Sequence, residues 1–262
     1  MKVFLPLFFL LMVIRGGAQV DSVRLDRDFL RHVAVDGRDY FLSPVRWEKR
    51  EWLTAAAVTG GILLVTLADE PISEFFRDHR GSFADGMSEY VGEPLGSEVA
   101  FLIAGGFIVA GELGNHGVTR STGYLAAESM LLSGLLVRIP KVLLGRQRPD
   151  AWPSATPYDL KGPFRGSSFP SGHTTLAFSL ASVVASQYRS VKWVPVLSYT
   201  LAGAAGVSRI YDQRHWASDV IAGAVIGIVT GRYVTGRYSS GGVSLTPSAV
   251  GGIPAVTLTC RW

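Results

Sequence analysis

Three short segments place cations and imidazoles at the edges of apolar stretches: Lys141-x6-Arg148-Pro149, Pro170-Ser171-Gly172-His173 and Ser208-Arg209-x5-His215-x3-Asp219. Between them they carry three cations, two imidazoles and one carboxylate. That set suits a metal-free site for a phosphate-like anion. Any one segment alone is a weak signal, and the order and spacing of all three make it strong.

His215 and Asp219 are four residues apart and share one face of a helix. A carboxylate behind one ring nitrogen holds an imidazole in one tautomer and makes it a better base and nucleophile. Arg209 adds a fixed cation a short loop upstream. Asp212 reads as a helix cap or as a partner for Arg214. Ser171 is a good N-cap and Gly172 allows close backbone approach, so the helix start is a ready anion seat. His173 in the first turn is placed to give a proton to a leaving oxygen. Lys141 and Arg148 are seven apart at a helix end that Pro149 stops, and Arg146 between them reads as a basic helix end complementing the dipole.

The elements that carry these residues are apolar. Six apolar segments run near 52–68, 99–113, 122–144, 173–187, 193–207 and 216–235, with small-residue pairs such as Gly60-Gly61 and Gly105-Gly106 that favour close helix packing. Most are just long enough to span a bilayer. Glu128 inside the third would cost roughly 2.5–3.5 kcal/mol at mid-bilayer unless it faces the interior. The expectation is an all-α, membrane-embedded bundle, with a soluble helical bundle as the alternative. Residues 19–50 are polar, with Ser43-Pro44 ending a short helix, and the tail 238–262 alternates apolar and polar residues in the manner of a short β-hairpin.

At 262 residues the chain has the length of one domain with short ends. Its net charge of +4 is dispersed, without the Lys/Arg run of a nucleic-acid binder. The sole cysteine, Cys260, excludes an intrachain disulfide. Residues 1–18 read as an export signal cleaved near Ala18, or as an uncleaved anchor. Basic connections flank most segments, whereas the connection from Asp69 to Glu98 is mostly acidic. The positive-inside rule therefore puts the three motifs on the outer side. A cleaved signal, six true spans and that charge bias conflict by parity, which a re-entrant segment or a wholly periplasmic bundle would resolve.

The three segments resemble the signature of the type 2 phosphatidic acid phosphatase (PAP2) superfamily, which also takes in bacterial non-specific acid phosphatases and vanadium haloperoxidases. The signature covers residues 141–219, and the helical pattern extends the resemblance to roughly 52–236. It implies a six-helix bundle of the PAP2 type, with a phosphatase domain over 51–237. It further implies that His215 attacks phosphorus to form a phosphohistidine while Asp219 orients its ring. His173 would protonate the leaving oxygen and then activate water. Lys141, Arg148 and Arg209 would bind the phosphate oxygens, with the Ser171 hydroxyl and the Gly172 backbone. No metal or other cofactor is implied, and vanadate would fill the seat only in the haloperoxidase branch. The implied substrate is a lipid phosphate or diphosphate at the inner membrane, with the site facing the periplasm. A soluble periplasmic acid phosphatase is the nearest alternative. His32, His79 and His116 lie outside the signature.

Overall fold

The computed structural model describes residues 23–151, 155–239, 243–250 and 253–260. The signal or anchor expected over residues 1–18 lies outside the described residues.

All six apolar segments are helical, but the bundle has more than six helices. Nine helices of six residues or more occur among the described residues: α1 (Arg27–Leu42), α2 (Lys49–Thr66), α3 (Asp69–Asp78), α4 (Ser82–Met87), α5 (Glu98–Leu113), α6 (Gly117–Leu144), α7 (Gly172–Gln187), α8 (Trp193–Tyr211) and α9 (Ala217–Ser239). One of the three additional helices, α1, is the short helix expected to end at Ser43-Pro44, and the other two fold from the acidic connection. Asp26 caps α1, its carboxylate accepting from Phe29 N at 2.7 Å. A 3-10 turn at Ser43–Arg46 follows α1. The acidic connection folds into α3 and α4, with Asp69 and Glu70 in the first turn of α3 and Arg77 in its last. That charge order complements the helix dipole. Past α9, the backbone of Val243–Val250 and Ile253–Cys260 forms two antiparallel strands, β1 and β2.

The core joins α5, α6, α7 and α9 through Phe107, Leu125, Met130, Val183, Val184 and Val234, with Tyr188 just beyond α7. Glycines set how close α9 comes to α7. A Cβ on Gly223 would lie 2.5 Å from Ser171 O, one on Gly227 2.6 Å from Thr175 O, and one on Gly231 2.6 Å from the Ser182 Cβ. Four-residue spacing puts these glycines in one row, so α9 lies directly on the α7 backbone. Gly60, Gly61 and Gly105, singled out in the sequence, do not do this and face open space.

By length and composition, one described helix, α9 over Ala217–Tyr238, is able to cross a membrane. The number rises to three if each of two bent pairs counts as one span: α2 with α3 (48°), and Ser82–Leu95 with α5 (53°). Helix α2 buries none of its residues and exposes Trp52, Leu53, Leu63 and Leu64. Glu128 is buried within the bundle, which meets the condition its charge imposes.

Candidate active site

The anion seat is built by the start of α7. After a cis Phe169–Pro170 bond, Ser171 caps the helix, accepting from Thr174 N at 3.4 Å and from the Thr174 hydroxyl at 2.9 Å. A Cβ on Gly172 would meet nothing within 4 Å, so the backbone here faces open space. The positive end of α7, with its helix-start N–H groups, thus borders this open space, the setting in which a helix N-terminus binds an anion. The seat is joined to the third motif by Ser171 N, which donates to the Asp219 carbonyl at 3.0 Å.

The turn from α8 to α9 brings Arg209 and His215 together. The Arg209 carbonyl accepts from both Arg214 N (2.9 Å) and His215 N (3.1 Å), in a turn where Gln213 has φ 57°. The buried Arg209 guanidinium donates to Ser208 Oγ (3.1 Å) and Asp212 Oδ2 (2.9 Å). Asp212 also accepts from Ser88 Oγ at 2.8 Å, while Arg214 pairs with Asp150 at 3.1 Å. Asp212 is therefore the partner of Arg209, not of Arg214. Asp212 lies three residues after Arg209 and two before Arg214, so either pairing fitted the spacing.

His215 is buried, with Nδ1 3.5 Å from Asp219 Oδ2. At that distance the two are an ion pair in reach, and no hydrogen bond closes onto Nδ1. Burial holds the His215 imidazole below the ordinary histidine range; Asp219 opposes the shift, and Lys141 and Arg148 add to it. Lys141 Nζ donates to Ser167 O at 2.5 Å. Arg148 keeps a buried Nε with no hydrogen-bond partner. An unmatched buried guanidinium donor is costly, and an anion would remove that cost. His173 lies within electrostatic reach of Arg209, His215 and Arg148, and Arg209 within reach of Arg148. All eight residues singled out in the sequence converge on one end of the bundle. Among the described residues no group of three or more His, Cys, Asp or Glu side chains could hold a metal ion.

Residues 123–239 match the model of the PAP2 superfamily. This segment belongs to the PAP2 superfamily. The chain is 35% identical over 199 residues to the lipid A 1-phosphatase of Porphyromonas gingivalis, covering 73% of this chain and 39% of that protein. It is 31% identical over 109 residues to the undecaprenyl-diphosphatase of Sulfolobus acidocaldarius, covering 42% of this chain and 52% of that protein. The chain thus spans about two fifths to one half of these relatives' lengths. The crystal structure of Aquifex aeolicus LpxE shares the fold, with a TM-score of 0.52 and 22% identity over 64% of this chain and 95% of that one.

The PAP2 segment holds its carboxylate in a network that spacing alone did not show. Arg146, expected as an ordinary basic helix end, is 4% exposed. Its Nη1 donates to Asp219 Oδ1 (2.6 Å) and Ser218 Oγ (2.7 Å), its Nη2 to Asp69 Oδ2 (2.7 Å) and its Nε to Pro157 O (2.8 Å). Asp219 Oδ2 accepts from Ser168 Oγ and from Trp216 N (3.0 Å). The Trp216 contact is the reciprocal half of a capping box at the start of α9. Asp69, Ser168 and Ser218 carried no spacing signal, since the chain brings them in from three separate elements. Asp69 stood in the sequence only as one acid in an acidic connection.

Proposed function

We propose that this protein is a metal-independent phosphatase that hydrolyses a lipid phosphate or diphosphate in the cell envelope through a phosphohistidine. The observation that carries this reading is the unmatched Arg148 Nε, buried in the same cluster as His215 and the open Gly172 seat. The names of the relatives, lipid A 1-phosphatase and undecaprenyl-diphosphatase, point to lipid-borne phosphate. The apolar helix α2, which buries none of its residues and exposes Trp52, Leu53, Leu63 and Leu64, suits a bilayer setting. The site is proposed to face the periplasm, from the basic connections on the opposite side.

In the proposed reaction the phosphate enters the seat, and Lys141, Arg148 and Arg209 take its equatorial oxygens with Ser171 and the Gly172 backbone. Phosphoryl transfer is mostly positioning and charge stabilisation, and forked guanidinium donors match phosphate oxygens. His215 Nδ1 faces Asp219, which leaves Nε2 as the attacking atom. The Nε2–P bond forms as the bond from phosphorus to the lipid oxygen breaks, and His173 gives that oxygen its proton. Water then attacks phosphorus while His173 takes a proton from it. The P–N bond breaks, and inorganic phosphate and free His215 result.

The test is phosphate release from a panel of lipid phosphates, lipid diphosphates and soluble phosphomonoesters, run with EDTA throughout. The reading expects turnover of lipid substrates that EDTA leaves unchanged. Turnover of soluble esters alone, or loss of all turnover with EDTA, would overturn it.

A further inference from the structure

Asp69 lies at the break between α2 and α3, far from the signature in sequence, yet it is fully buried against the start of α9. Its Oδ1 accepts from Ser218 N at 2.8 Å and its Oδ2 from Ser218 Oγ (2.5 Å) and Arg146 Nη2 (2.7 Å). Ser218 N belongs to the first turn of α9, where an N–H has no partner within its own helix. Asp69 therefore caps α9 from another element, while Asp219 caps it from within through Trp216 N. Arg146 lies between the two carboxylates with every nitrogen engaged, and its guanidinium also sits 5.8 Å from the Trp216 ring centre.

Three charges buried together are a poor way to stabilise a fold, because desolvation offsets the attraction. They are an effective way to fix one carboxylate in place. Without Asp69, the guanidinium would be free to turn fully onto Asp219, and the α9 start would lose a cap. Either change moves Asp219 relative to His215, whose Nδ1 already lies 3.5 Å away.

We propose that Asp69 and Arg146 are positioning residues for the His215–Asp219 pair, and that they couple the end of the exposed helix α2 to it. This rests on the phosphatase reading for its kinetic arm only. The charged groups facing His215 are Asp219 on α9, Lys141 on α6, Arg148 in the following loop and His173 on α7, and Asp69 acts on it through Arg146. Replacing Asp69 by a neutral residue leaves the Arg146 charge less compensated, so the imidazolium form of His215 becomes less favourable.

The experiment uses the full chain with Asp69→Asn, and Ser218→Ala as a milder variant that removes one hydroxyl link and leaves both charges. The His215 titration is followed by NMR of its ring protons, which needs no turnover. In Asp69→Asn the midpoint is expected to fall by roughly half a unit. With a lipid phosphate substrate, kcat is expected to fall roughly 10-fold to 100-fold with KM within about two-fold. Ser218→Ala should show the same split with a smaller loss of kcat. A folded Asp69→Asn with unchanged midpoint and kcat overturns the proposal. If Asp69→Asn does not fold, an unchanged kcat in Ser218→Ala overturns it. A shifted midpoint in a protein that hydrolyses no phosphate at all would instead sustain the coupling and sink the phosphatase reading.

Discussion

Ser171 N donates to the backbone carbonyl of Asp219 at 3.0 Å, so the anion seat on α7 and the carboxylate on α9 are fixed to each other by a main-chain bond. The seat and the proposed nucleophile therefore share one rigid corner. The glycine row of α9 then continues that contact along α7.

This close approach is sensitive to volume. Gly227→Val would push a side chain into the Thr175 carbonyl, 2.6 Å from even a Cβ. Overpacking of this kind costs about 1–3 kcal/mol. Thermal unfolding in detergent should show a lower midpoint for Gly227→Val and an unchanged one for Gly203→Val, since Gly203 faces open space.

The unmatched Arg148 Nε predicts a large loss on truncation. Arg148→Ala should lower kcat/KM by about 10²–10³, the range for removing one oxyanion donor. Inhibition by inorganic vanadate should weaken in parallel. Steady-state kinetics with an inhibitor series measures both.

The His215 imidazole is held below its ordinary range by burial, with Lys141 and Arg148 adding to the shift. A nucleophilic imidazole must be neutral, so a lowered pKa extends activity to more acid pH. The acid limb of kcat/KM due to His215 is thus expected below about pH 6.5, the unperturbed histidine value. Asp219→Asn removes the one anion that opposes the shift and should move this limb lower still. Comparing both proteins on one substrate keeps the substrate's own ionisation constant.

The loop from Tyr158 to Arg165 is expected to meet the lipid. It is held to the end of α6 by Lys161 N to Gly145 O, Gly162 N to Leu144 O and Phe164 N to Val142 O. Phe164 is 85% exposed at φ 65°, a costly conformation for a bulky side chain. Phe164→Gly suits that backbone and should leave the fold intact. Turnover of lipid phosphate in vesicles should fall several-fold, with hydrolysis of a soluble aryl phosphate unchanged.

The signature residues and the six apolar helices were legible because local order encodes them: His215 and Asp219 by helical spacing, Ser171 by capping, the helices by composition. The added helices were harder to see. Helix α1 was marked only by its stop at Ser43-Pro44, and α3 is short and acidic, without an apolar stripe long enough to stand out. Arg146 and Asp69 were illegible for a different reason. A buried cation reads like a surface one until the fold supplies its carboxylates, and here they come from residues 69 and 219. The Gly60-Gly61 pair misled because small residues show where helices are able to pack, not which face does so.

The central claim is covalent chemistry at His215. Rapid acid-free quenching of the enzyme with lipid phosphate carrying radiolabelled phosphorus tests it most directly. The expected result is label on the protein that is stable to base, lost in acid, mapped to His215 and absent in His215→Ala, which should fold normally and not turn over. Full turnover by His215→Ala, with no labelled protein at any time, would contradict the account.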